Sequence, residues 1–235
     1  MNTLHPNLPP LPVRMRNLPV DARGFPVPWF VQWFHPDGSP CEKPPDLAVD
    51  HSDFRVVDSR KRYIAIKQKR CWVCGAMLGR YMAFVIGPMC AINRISSEPP
   101  SHLDCATFSA RGCPFLVKPA VVRRENDLPE KYEPAPGIML RRNPGVALVW
   151  VTRSYRIVPA PKESGADGFL VKVGDPEEVF WYCEGRAATR AEVLASIEGG
   201  LPSLMESAAL DGPEGIAAAR MHLAGVAPLL PQEAA

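Results

Sequence analysis

Cys71-Trp72-Val73-Cys74-Gly75 and, downstream, Ser101-His102-Leu103-Asp104-Cys105 are the segments whose reading decides the fold. Their spacing is C-x2-C, then 27 residues, then H-x2-C. Two cysteines that bracket two residues and precede a glycine make a tight knuckle, whose backbone amides can point at thiolate sulfur and offset its charge. Ser101 and Asp104 have the spacing of a capping box, which predicts a helix with Ser101 as its N-cap. In that register His102 and Cys105 sit one turn apart on one helix face, so both reach a single ion. The positive end of the helix also favours the Cys105 thiolate. Four nitrogen and sulfur donors with no carboxylate describe a closed tetrahedral zinc site of the structural kind.

Two alternatives use the same cysteines. Cys90 lies 16 positions after Cys74 and 15 before Cys105, and could replace His102 in an all-cysteine site. Cys71, Cys74, Cys90 and either Cys105 or Cys113 could instead hold an iron–sulfur cluster, which Cys113-Pro114 fits superficially. On a continuous helix Cys113 is about 12 Å along the axis from Cys105, at ~1.5 Å per residue, too far to share its ion. Cys41 and Cys183 read as lone small residues.

A knuckle, a hairpin and a helix carrying two ligands resemble the treble-clef zinc fingers over residues 71–112, on Cys71, Cys74, Gly75, His102 and Cys105. The loop before the helix is longer than compact members need. The resemblance implies metal and fold, but the family includes DNA and RNA binders, protein-interaction modules and some nucleases, so it leaves function open. The wider run from Gly24-Phe25-Pro26-Val27-Pro28-Trp29 through Ile86-Gly87-Pro88-Met89-Cys90 to Cys113-Pro114-Phe115-Leu116 is also similar to a group of uncharacterised bacterial and phage proteins. That likeness implies a prokaryotic origin and supplies no activity.

Upstream of the knuckle, Ser59 to Arg70 suits a short helix with Ser59 as N-cap. Arg60, Lys61, Arg62, Lys67, Lys69 and Arg70 make it the densest positive patch in the chain, and Arg80 adds to it from beyond the knuckle. Such a patch is either a solvated helix face or a contact for nucleic acid. Gly24–Phe34 and Asp53–Asp58 read as two strands pairing through a long loop, with a turn at His35-Pro36-Asp37-Gly38. Trp29, Trp33 and Phe34 are core residues or, if exposed, the anchor for a protein partner. Residues 1–20 are Pro-rich and read as an extended arm.

Downstream, residues 76–87 predict a β-hairpin turning near Gly79-Arg80, and the ligand-bearing helix should stop at Gly112-Cys113-Pro114. Residues 118–145 hold Pro119, Pro129, Pro134, Pro136 and Pro144 with two arginine pairs, and read as a linker or strap. Val146–Val158, Gly168–Val173 and Val179–Glu184 predict an antiparallel meander. Thr189-Arg190-Ala191-Glu192 is a capping box that opens a helix through Ile197, which Gly199-Gly200 closes. Leu201–Leu210 and Pro213–Val226 should form further helices. The expected class is α+β, with an N-terminal arm (1–20), a zinc unit (21–117), a linker (118–145) and a meander-plus-helices unit (146–235).

Composition narrows the partners. Net charge is +2 over 235 residues, so any basic footprint is local. No apolar run reaches the roughly 18 residues of a membrane span. The N-terminus lacks a basic-then-apolar signal layout, which favours the cytoplasm. In a reducing compartment seven cysteines point to metal more than to disulfides. Catalysis has less support. Residues 76–87 hold no histidine, aspartate or glutamate. His35 and His51 read as solvated loop residues, and Asp37, Asp50, Asp53 and Asp58 show no motif-like spacing. The expectation is a non-enzymatic, zinc-stabilised protein that binds nucleic acid. The alternatives are a protein-interaction or regulatory module, and a metal-dependent hydrolase or nuclease.

Overall fold

The structure, a computed structural model, describes residues 2–118, 126, 128, 143–160 and 168–232. In chain order its elements are β1 (Val31–Phe34), β2 (His51–Val57), α1 (Ser59–Lys67), β3 (Met82–Ile86), α2 (Pro88–Asn93), β4 (Ile95–Ser96), α3 (Leu103–Gly112), β5 (Ala147–Thr152), β6 (Tyr155–Pro159), β7 (Phe169–Val173), β8 (Pro176–Cys183), β9 (Arg186–Ala187), α4 (Arg190–Leu210) and α5 (Gly212–Ala224). The class is α+β with antiparallel sheets. Most of the 118–145 stretch lies outside the described residues.

β5 sets the architecture. All six of its residues are buried, so both faces are covered and its sequence is apolar without alternation. Leu148 and Trp150 face one core with Phe84, Ile86, Val171, Val173, Trp181, Val193 and Ile197. Ala147, Val149 and Val151 face the other, with Ala83, Ala106 and Ala110. The period-two alternation thus separates a large-residue core under α2 and α4 from an alanine-rich one under α3. Small side chains on both surfaces let α3 lie close against the sheet. That seat positions the second half of the knuckle–helix pair.

The hairpin expected over 76–87 does not form. Met82–Ile86 pairs in antiparallel register with β5, from Met82 opposite Thr152 to Ile86 opposite Leu148. The sheet order is β3-β5-β8-β9, and a second sheet runs β4-β7-β6. β3 is too apolar on both sides for a two-stranded ribbon, and β5 offers it a doubly covered sheet instead. The meander is likewise corrected: β5 pairs with β8, and β6 with β7 in the other sheet. The expected long strand breaks after Thr152, whose hydroxyl donates to the Asp175 carbonyl at 2.8 Å. Beyond that corner Tyr155–Pro159 is only partly covered.

The predicted pairing of the aromatic strand is present: β1 runs antiparallel to β2 with a bulge between Val31 and Gln32. The Thr189–Glu192 capping box also forms and opens α4. The helix does not stop at Gly199-Gly200, however, but continues to Leu210 through Pro202. Gly200 is a packing glycine: a Cβ there would meet Met89 of α2 at 2.9 Å. The Pro-rich N-terminal stretch is also seated, with Met15 buried against Cys71, Val73, Cys105 and Phe108, and Leu8, Leu11 and Leu18 packed around it.

Candidate metal centre

The knuckle forms as its sequence implies. Gly75 adopts φ +75°, a left-handed conformation that glycine tolerates, and a Cβ there would meet the Trp29 ring at 2.7 Å. Trp29 donates its backbone N–H to the Val73 carbonyl at 2.7 Å, so the segment just before β1 braces the knuckle. Trp29 and Trp33 are half-buried and Phe34 is buried, which removes most of the exposed anchor considered for them.

α3 begins one residue later than the capping box implies. His102, not Ser101, is the N-cap, and no side chain caps the helix. Ser101 is instead tied into the sheet by paired backbone bonds with Ala83, at 2.8 and 2.7 Å. The tertiary bridge outcompetes a local cap because it satisfies two buried backbone groups at once. Asp104 still contributes negative charge in the first turn, and Arg14 reaches it at 3.4 Å.

The shift leaves the donors together. One ligand atom from each of Cys71, Cys74, His102 and Cys105 lies within 4.8 Å of the others. Cys71 and Cys105 are fully buried and His102 is 8% exposed, so water competes poorly for an ion there. The Cys74 Sγ is 3.4 Å from His102 Nδ1. Tetrahedral zinc, with Zn–S about 2.3 Å and Zn–N about 2.0 Å, would separate such a pair by about 3.5 Å. His102 Nε2 donates to the Met77 carbonyl at 2.9 Å. A carbonyl only accepts, so this bond puts the proton on Nε2 and leaves Nδ1 as the donor atom toward the cysteines.

Mutual hydrogen bonds and burial shift the three thiols in opposite directions. Cys105 and Cys74 donate toward Cys71 and hold its thiol well below the usual range, assisted by the backbone N–H groups of Cys74 and His102. The Cys105 thiol is pushed up by the same contacts with Cys71 and Cys74, and by burial. At Cys74 the Cys105 thiol pulls downward, but Cys71 and burial outweigh it and the net shift is upward. A divalent cation held there would let all three sulfurs bind as thiolates.

Cys90 lies elsewhere, on α2 against the large core, where burial pushes its thiol up to about 11. Cys113 is the C-cap of α3 and is likewise raised by burial. Neither belongs to the donor group.

The predicted basic residues divide into two sets. α1 is capped by Asp58 rather than Ser59, its side chain accepting from the Arg60 N–H. Arg60 pairs with Asp58 at 3.0 Å and donates to the Cys41 carbonyl at 2.7 Å. Lys61 is half-buried, donates to the Val31 carbonyl at 3.3 Å, and is held below its usual pKa by burial. Arg62 lies over the Phe169 ring and donates to the Ser97 and Phe169 carbonyls. These three fasten α1 to its neighbours. Lys67, Lys69 and Arg80 are exposed, while Arg70 donates to the Gly75 carbonyl at 3.1 Å.

A second donor group escaped the sequence reading: His35, Cys41 and Asp50, whose ligand atoms also lie within 4.8 Å of one another. Their separations of six and nine residues match no short motif. Only the pairing of β1 with β2 brings Asp50 back beside His35. No protein-family model, curated protein or solved structure matches this chain. Among the described residues, no helix is long and apolar enough to cross a membrane.

Proposed function

We propose that Cys71, Cys74, His102 and Cys105 hold one structural zinc ion, and that the protein is a non-enzymatic binding protein whose knuckle presents a basic surface to nucleic acid. The observation that carries the metal assignment is the convergence of four buried or half-buried nitrogen and sulfur donors, with backbone N–H groups on Cys71 and a fixed histidine tautomer. A closed donor set of this kind leaves no coordination position for substrate. Its role is to fasten α3 and the knuckle together over a core lined by Met15, Val73 and Phe108.

The nucleic-acid reading rests on the exposed basic residues around the knuckle. An antiparallel bridge sets Arg70 beside Met77, and the Leu78 N–H donates to the Lys69 carbonyl. Lys67, Lys69 and Arg80 are exposed along this strip of chain, as are Tyr63, Met77 and Tyr81, with Lys67 lying over the Tyr63 ring and Arg153 over that of Tyr81. Cations that neutralise phosphate, interleaved with rings on which bases can stack, suit a single strand better than a base-reading helix. Binding of single-stranded DNA or RNA should weaken steeply with salt, and each of Lys67→Ala, Lys69→Ala and Arg80→Ala should lower the salt slope by roughly one. Arg62→Ala should destabilise the fold and leave that slope unchanged. A gel-shift series with no binding at low salt would sink the reading. A protein partner retained after nuclease treatment would replace it with the interaction-module alternative.

A further inference from the structure

His35, Cys41 and Asp50 form an arrangement that neither the knuckle nor the basic strip uses. His35 follows the last residue of β1, and Asp50 precedes the first residue of β2. Cys41 returns to the same place through the turn between them, its N–H donating to the Trp33 carbonyl at 2.8 Å and Phe34 bridging to Pro40. The turn is closed by the His35 N–H on the Ser39 carbonyl and by Asp37, whose carboxylate accepts from the Ser39 N–H and hydroxyl. The Cys41 carbonyl accepts from Gln32 and from Arg60. One Asp50 oxygen accepts the Asp46 N–H at 2.7 Å, which orients the other toward His35. All three donors are thus held in place by other groups.

Their mutual geometry identifies the chemistry. His35 Nδ1 is 2.9 Å from Asp50 Oδ1 and 3.6 Å from Cys41 Sγ. In a nucleophilic cysteine–histidine–aspartate triad, the two partners address opposite ring nitrogens, so that the imidazole takes a proton from one side while the acid holds the other. Here both partners address the same nitrogen. Three unlike donor atoms that face one another across a single gap are the arrangement a metal ion requires. The sulfur–nitrogen distance matches the roughly 3.5 Å of tetrahedral zinc, and the nitrogen–oxygen distance needs to open by about 0.4 Å. The Asp50 carboxylate is only 3% exposed and Cys41 is buried, whereas the His35 side chain is about half exposed. A hollow of about 450 Å³, lined by His35, Ser39, Pro40, Glu42 and Lys43, opens beside it.

We propose that His35, Cys41 and Asp50 form a second, open metal site for a zinc-class divalent cation. Three protein ligands leave its fourth position to water or an anionic ligand from the hollow, as in sites where the metal takes part in binding or reaction. The mixed nitrogen, sulfur and oxygen set favours zinc or cobalt over magnesium or calcium. Its occupancy is independent of the knuckle. The full-length chain, dialysed against a mild chelator, keeps the knuckle ion and releases this one.

The experiment is a Co²⁺ titration of the chelator-dialysed full-length protein, followed by visible absorption and by metal analysis. The expected result is a second equivalent per chain with the charge-transfer band of a single thiolate. That equivalent is absent in His35→Ala and in Asp50→Asn, while the metal held at the knuckle stays in both and so reports an intact fold. Total metal that stays at one equivalent per chain after Co²⁺ is added to the unaltered protein, or a second equivalent that survives both substitutions, overturns the proposal. Failure of the knuckle assignment is seen separately, as Cys71→Ser retaining its full metal content.

Discussion

The knuckle cluster and the β1–β2 cluster are both built where the chain reverses, and both gather donors from two separated segments, yet they suit different tasks. At the knuckle four donors, three of them buried, would close a tetrahedral coordination sphere, and α3 with its N-cap, seated on the alanine-rich face of the sheet, supplies half of them. At the β1–β2 turn three donors leave one direction open, and the histidine faces solvent. With an ion bound, closure would make the first a fastener, and incompleteness would leave the second available to a ligand. Donor count and exposure, rather than the presence of cysteine and histidine, separate structure from chemistry.

The largest expected effect comes from opening the knuckle. Cys105→Ser should release the ion and destabilise the fold by roughly 3 kcal/mol or more, since structural zinc carries on the order of 10 kcal/mol of apparent folding free energy. Hydrogen exchange should then rise across 71–112, and metal analysis should show the loss. Trp150→Ala removes the largest fully buried side chain among the described residues and its bond to the Gly174 carbonyl, at a cost of about 3–5 kcal/mol by denaturant melt. Both metal sites should survive it below the melting transition, which would separate loss of fold from loss of donors.

Smaller changes sharpen the contrast. Cys90→Ser places a hydroxyl in the large core and should cost about 1–2 kcal/mol without altering metal content. A fall in zinc stoichiometry in that variant would restore the all-cysteine alternative. Acid should empty both clusters, because thiolate and imidazole donors are lost to protons as pH falls. The three-donor site should empty at the higher pH in a chelator-coupled titration, having fewer ligands to hold the ion. His35→Ala, at a half-exposed position, should shift the melting point of the chelator-dialysed protein least of all.

Sequence patterns exposed these features unevenly. The four knuckle residues could be read because each pair is local: three residues apart in a turn, or one helical turn apart. The Thr189–Glu192 box could be read for the same reason, since both of its hydrogen bonds lie within four residues. His35, Cys41 and Asp50 could not, because no local rule links them and each has an ordinary loop role alone. The basic run from Arg60 to Arg70 looked uniform in one dimension. In three it divides, since Arg60, Lys61 and Arg62 turn toward carbonyls on neighbouring segments. Gly199-Gly200 has the composition of a helix stop, but the close approach of Met89 requires glycine within a continuing helix.

The sequence by itself determined the donor chemistry, the knuckle, the apolar strands and the mixed helix–strand class, all of which follow from residue type and short-range spacing. Tertiary structure alone decided where β3 would pair, where α3 would start, and that a second cluster would exist. Register and partner choice depend on which buried face is available elsewhere in the chain. For β3 that face belongs to β5, more than sixty residues away, and its pull exceeds any local turn or cap.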